Sequence, residues 1–149
     1  MKPGRRIAFD FGDVRIGVAV TDPSGILSTP LKFLENAEES LVSKISSLYE
    51  EYQPIYTAIG LPSHLSGSES QKSKSVTEFA AKISEITPAP IYFIDERLTT
   101  VSASRTLREA GLHSKSAKSE VDSMAAAAIL DSALNQERIQ GEPMNRYLK

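Results

Sequence analysis

Hydrophobic and polar positions change their spacing along the chain, and each change marks an element. Arg5 to Phe11 carries the apolar run Ile7-Ala8-Phe9 and stops at Gly12, the mark of a buried strand. Arg15 to Thr21 sets Ile16, Val18 and Val20 at period two, and the link Gly12-Asp13-Val14 is short enough for a hairpin. Asp22-Pro23-Ser24-Gly25 has turn composition, because Pro presets φ and Gly accepts a positive φ. Ile26 to Leu34 predicts a third strand, in which Pro30 requires an edge position or a bulge.

The spacing then turns helical. Leu41, Val42, Ile45, Leu48, Tyr49 and Tyr52 share one face, with Asn36 and Glu39 read as the helix start and Pro54 as its stop. Ile55 to Gly60 predicts a fourth strand, and Ser63 to Ser70 a polar loop. Val76, Phe79, Ala80, Ile83 and Ile86 form the face of a second helix, closed by Pro88 and Pro90. Ile91 to Ile94 predicts a fifth strand running into Asp95-Glu96. A helix over Thr100 to Ala110, a mobile basic loop over Ser114 to Ser119 and a final helix from Glu120 to about Gln136 complete the series.

Three strands followed by alternating helices and strands predict an α/β fold. An antiparallel meander leads into parallel strands, and helices cover both faces of the mixed sheet. With no repeat and no linker, the expectation is one domain over residues 1–140 and a C-terminal tail over 141–149.

Composition narrows the chemistry. The hydrophobic fraction of 40% can supply a core. The chain has no cysteine, which excludes disulfides, thiolate zinc sites and thiol nucleophiles. No apolar stretch approaches the ~20 residues that span a bilayer, and no signal segment follows the first residues, so the expected setting is cytoplasmic, without membrane. The net charge of −2 gives no general basic field. Bases nevertheless gather at Arg97, Arg105, Arg108, Lys115 and Lys118, and acids at Glu35, Glu38, Glu39, Glu50 and Glu51. One side of the molecule could therefore attract phosphate; two solvated helix faces would give the same pattern.

Sites in such sheets form at the carboxyl ends of the parallel strands. Asp10 ends the first strand, Gly60 closes the fourth and Glu96 follows the fifth, so all three belong at one edge. An acid ending an apolar strand needs solvent, a partner or a cation. Asp122, in the first turn of the final helix, could join them. Three convergent carboxylates make a hard oxygen site suited to Mg2+ or Mn2+ and to phosphodiester hydrolysis. Each residue has another reading. Asp10 can pair with Arg6 or Arg15. Asp95 and Glu96 point to opposite faces, and alternation does not choose between them. Ser119-Glu120-Val121-Asp122 fits a helix-capping pattern. His64 and His113 are lone loop histidines, read as solvent-exposed.

Four blocks carry a resemblance. They are Ile7-Ala8-Phe9-Asp10-Phe11-Gly12 with Arg15-Ile16-Gly17-Val18-Ala19 and Asp22; Gly60-Leu61-Pro62 with Gly67-Ser68; Asp95-Glu96-Arg97-Leu98-Thr99-Thr100 with Ala103 and Leu107; and Val121-Asp122 with Ala125-Ala126 and Ile129-Leu130. With these the chain resembles the YqgF (RuvX) family of bacterial ribonuclease-H-like proteins, described as candidate pre-16S rRNA nucleases and earlier as candidate Holliday junction resolvases.

The resemblance implies a ribonuclease-H-like three-layer fold with a five-stranded mixed sheet. It implies catalytic, metal-binding acids at Asp10, Glu96 and Asp122, served by Mg2+ or Mn2+. It places Arg15 and Arg97 beside phosphate, and Ser66, Gly67 and Ser68 in a substrate-side loop. The implied function is metal-dependent nuclease action on the 5′ end of pre-16S rRNA in ribosome biogenesis. The alternatives are a Holliday junction resolvase acting on DNA, and a nucleic-acid-binding ribosome-assembly protein with little catalysis. Actin-like kinases share the fold and an Asp-Phe-Gly echo, but they generally close two such domains on ATP. The expected partner is RNA ahead of structured DNA, and the expected state a monomer or weak homodimer, since no dimer stripe is evident. Asp13, the segment Ser63-His64-Leu65-Ser66 and the few bases over 114–119 depart from the family pattern, which predicts modest, salt-dependent binding.

Overall fold

A computed structural model describes residues 1–62, 70–99 and 115–148, with backbone alone at 70, 71, 98 and 115–123. Strands β1 (Arg6–Phe11), β2 (Arg15–Thr21) and β3 (Ser28–Glu35) are followed by helix α1 (Leu41–Tyr52) and strand β4 (Tyr56–Leu61). Then come α2 (Ser70–Ile86), β5 (Ile91–Asp95), a 3₁₀ turn (Glu96–Leu98), α3 (Lys115–Gln140) and β6 (Asn145–Arg146). The sheet order is β3-β2-β1-β4-β5-β6. β1, β4 and β5 are mutually parallel, while β2, β3 and β6 run antiparallel to their neighbours. The mixed α/β sheet expected from the hydrophobic pattern is therefore present.

The sheet separates two cores of different character. Toward α1 and α2 it presents Ile7, Phe9, Ile16, Val18 and Ile59, which pack with Ile45, Val76, Phe79 and Ile83. Toward α3 it presents Ala8, Ala19 and Ala58, met by Ala125, Ala126, Ile129 and Ala133. Small residues on both surfaces let α3 lie close against the central strands. At its far end α3 is fastened by a buried ion pair. Glu137 accepts from the Arg6 guanidinium (Oε2–Nη2 2.6 Å) and from the Tyr56 hydroxyl. Arg6 begins β1 and α3 runs antiparallel to it, so the start of α3 extends toward and past the carboxyl edge of the sheet.

Several expectations change. The sheet has six strands, not five, because residues 145–146 pair with Tyr92 and Phe93 on β5. Pro30 does occupy an edge strand, and the register of β2 on β3 shifts between Ile16 and Val18. Asn36 does not start a helix; α1 begins at Leu41, with Ser40 in the capping position. The Asn36 amide instead donates to the Gly12 carbonyl (2.6 Å), and its N–H donates to the Val14 carbonyl (2.8 Å), tying down the β1–β2 hairpin. The segment expected to be a basic loop is helical from Lys115 onward. A helix needs an apolar stripe only where it packs, and these first turns lie beyond the sheet edge, where intrinsic propensity suffices. Residue 114 and the helix expected over 100–110 lie outside the described residues.

Candidate active site

The site begins with alternation along β1. Ala8 faces α3, so Asp10, two residues on, faces α3 as well, half-buried at the strand end. Its antiparallel partner is Gly17, and on the other side it stands one step past the parallel pair Phe9 and Ile59, level with Gly60. Gly60 is the close-approach point of the helix. A Cβ there would lie 2.5 Å from Ile129 Cδ1 and 3.8 Å from Glu96 Oε1. The missing side chain lets α3 settle on β4. On the α3 face this point lies between the strand end that carries Asp10 and the turn that carries Glu96.

Glu96 is held by the turn it begins. Asp95 caps that turn by accepting from the Arg97 N–H (2.9 Å), and Thr99 closes it by donating from its N–H and its hydroxyl to the Glu96 carbonyl (3.1 and 2.9 Å). Asp95 also takes the Arg97 guanidinium (Nη2–Oδ2 2.8 Å), and the bonds from Arg97 hold its carboxyl below the usual aspartate range. Glu96 lies on the α3 face over Gly60, while Asp95 is spent on the cap.

The other expected site residues are distributed as follows. The Asp122 backbone lies well inside α3, seven residues after its start, so the first-turn capping reading lapses. Position 122 is also seven residues, or two turns, before Ile129 and on the same stripe as Ala126 and Ala133; its side chain is outside the described residues. Arg15, two residues before Gly17 on β2, is the diagonal neighbour of Asp10 on the α3 face. Arg97 is turned onto Asp95, yet it is 65% exposed, and such solvent pairs are weak enough to exchange. Ser66, Gly67 and Ser68 lie outside the described residues. Neither Arg6 nor Arg15 forms an ion pair with Asp10 among the described residues: Arg6 serves Glu137 at the opposite edge.

Among the described residues no three histidines, cysteines or acids gather into a metal-binding group. Asp10 and Glu96 are two hard oxygen donors on the α3 face, on either side of Gly60. That donor chemistry suits a small divalent cation. The sequence reading did not single out Thr99 as a positioning residue, nor the closeness at Gly60. A hydroxyl three residues after Glu96 was the available signal for Thr99. Nothing local to Gly60 announces Ile129, which is distant in the chain.

A mixed sheet with helices on both faces and acids at its carboxyl edge defines the ribonuclease-H-like class. Solved structures agree on the fold. The Thermus thermophilus RuvC in complex with a Holliday junction substrate superposes with a TM-score of 0.64 at 12% identity, over 95% of this chain and 99% of that one. A second T. thermophilus RuvC structure gives 0.54 at 11% identity, over 94% and 99%. The family model described as "RuvX: Holliday junction resolvase" matches residues 4–136, and the chain belongs to that family. Relatives from Streptomyces coelicolor (42% identical, over 96% of this chain and 87% of the relative) and Streptomyces avermitilis (43%, over 95% and 92%) are both named "Putative pre-16S rRNA nuclease". A relative from Mycolicibacterium smegmatis bears the same name, at 40% identity over 91% of this chain and 82% of its own. These relatives are thus named as nucleases, which are hydrolases acting on ester bonds.

Proposed function

We propose that this chain is a divalent-metal-dependent nuclease that hydrolyses phosphodiester bonds at the 5′ end of pre-16S rRNA, with Asp10, Glu96 and Asp122 as its catalytic carboxylates. The observations that support the reading are that Asp10 ends β1 on the α3 face, level with Gly60, and that Glu96 Oε1 lies 3.8 Å from where a Gly60 Cβ would stand, on the face covered by the helix that bears position 122. Family membership supports the reaction class, and the relatives' name supports RNA as the substrate. No helix among the described residues is long and apolar enough to cross a membrane.

The residues divide the work. Asp10 and Glu96, with Asp122, would hold Mg2+ or Mn2+. When bound, such a cation supplies Lewis-acid charge and lowers the pKa of a coordinated water. Asp95 and Thr99 fix the Glu96 backbone, so its carboxylate does not have to be reorganised when substrate arrives. Arg15, diagonal to Asp10, offsets phosphate charge through its planar donor edge.

The test is cleavage of a 5′-extended 16S precursor in Mg2+, comparing wild type with Asp10→Asn and Glu96→Gln. Each variant should lose more than the ~100-fold that removal of an outer-shell partner brings. Unchanged cleavage by Asp10→Asn would end the assignment. A parallel arm with a four-way DNA junction decides the substrate, since faster cutting of the junction would replace RNA processing with junction resolution.

A further inference from the structure

The carboxyl edge of the sheet carries two cations laid over aromatic rings, one on each face, on either side of Asp10. On the α3 face the Arg15 guanidinium lies 4.5 Å from the centroid of Phe33 on β3. On the opposite face the Lys72 ammonium, in the first turn of α2, lies 5.7 Å from the centroid of Phe11. Phe11 directly follows Asp10 in β1. Both rings and both cations are half-buried, each with part of its surface open to solvent. Among the described residues neither cation forms an ion pair with a carboxylate, although Glu35 stands opposite Arg15 in the ladder.

This arrangement has a physical meaning. A cation on a ring face gains attraction from the ring quadrupole while its N–H groups stay available to an oxyanion. Restricting a long side chain beforehand lowers the ordering cost of binding. Partly exposed rings interleaved with bases are also how proteins track a single nucleic-acid strand. The geometry points to a strand path over the carboxyl edge, on which Lys72 over Phe11 and Arg15 over Phe33 grip phosphates on opposite sides of the scissile bond. Phe33 is then a positioning residue, acting through Arg15, and Lys72 is a phosphate contact. The inference rests on the nuclease reading for the place of the scissile bond, while the grip itself is a matter of binding.

The experiment measures binding alone. A single-stranded RNA of about twelve nucleotides is titrated by fluorescence anisotropy at several salt concentrations, without divalent metal, in an Asp10→Asn background. Lys72→Gln should weaken binding and reduce the log–log salt slope by about 0.7, the share of one phosphate on a single strand. Phe33→Leu should weaken binding about two- to fivefold, the size of an exposed cation–ring contact. It should have no further effect once Arg15 is Gln, and Phe33→Tyr should restore binding. An unchanged slope in Lys72→Gln, or a Phe33→Leu loss that persists undiminished without Arg15, overturns the proposal. These outcomes are independent of the cleavage comparison, so the grip and the nuclease reading can fail separately.

Discussion

At the scale of single residues, the turn that follows β5 shows how a carboxylate is aimed. Glu96 has its backbone pinned from both sides, by the Asp95 cap before it and by Thr99 after it. Thr99→Val keeps the shape and removes the hydroxyl bond. Such a bond contributes about 0.5–1.5 kcal/mol, so thermal stability should move little. Turnover should fall more steeply, because a displacement of about 1 Å can cost a hundredfold in rate. Calorimetry together with single-turnover cleavage checks this, and parallel losses would make Thr99 merely structural. The Asp95–Arg97 pair adds a pH dependence of known sign. The folded state lowers the Asp95 pKa, so the pair supports the turn above the ordinary aspartate value of 3.8 and releases it as pH falls through the lowered value. In Arg97→Gln the melting temperature should therefore drop above pH 3.8, be unchanged at lower pH, and show a shallower acid limb.

At the scale of elements, the close contact of α3 with β4 decides where position 122 stands. Gly60→Ala would drive a methyl into Ile129 Cδ1. Overpacking of this kind costs about 1–3 kcal/mol, relieved by the Ile129 side chain turning aside or by the helix lifting. Denaturant melts should show that loss, and Ile129→Val in the same chain should recover part of it. The contact also explains what could be read beforehand. Strands β1, β2 and β4 alternate large with small residues: Ile7-Ala8-Phe9-Asp10, Ile16-Gly17-Val18-Ala19, Ala58-Ile59-Gly60. Counting them simply as apolar predicts the strands correctly but hides which helix comes near. The size alternation marks the α3 face, and the acid at position 10 shares it. Asn36 misleads for the opposite reason. Its amide answers a hairpin carbonyl 24 residues earlier, and no local window shows that bond. The start of α3 was obscured because a helix that overhangs its sheet carries no apolar stripe.

At the scale of the whole molecule, the edge opposite the site is built from buried hydroxyls and one ion pair. Tyr49 bonds Thr57, Tyr56 bonds Glu137, and Tyr92 bonds Glu142. Burial raises all three phenol pKa values; nearby carboxylates add to it for Tyr56 and Tyr92, and Tyr92 is pushed up to about 12. The fold thus favours the neutral phenols. That stability is whole below pH 10, the ordinary tyrosine value, and is lost as pH climbs toward 12. Alkaline melts should show the decline beginning near pH 10 and weakened in Tyr92→Phe; a flat profile would count against the bonded phenols. Glu137→Gln leaves the buried Arg6 without its counter-charge. Breaking such a pair costs about 3–5 kcal/mol. The clamp at Glu137 and the acid at 122 belong to one rigid rod, fifteen residues or roughly 22 Å apart. The far end magnifies any slack at the near end: a tilt of about five degrees at Glu137 swings position 122 by about 2 Å. A loosened clamp should therefore be felt first as lost aim. On warming, the Glu137→Gln enzyme should fall silent while its circular dichroism is still that of a folded protein.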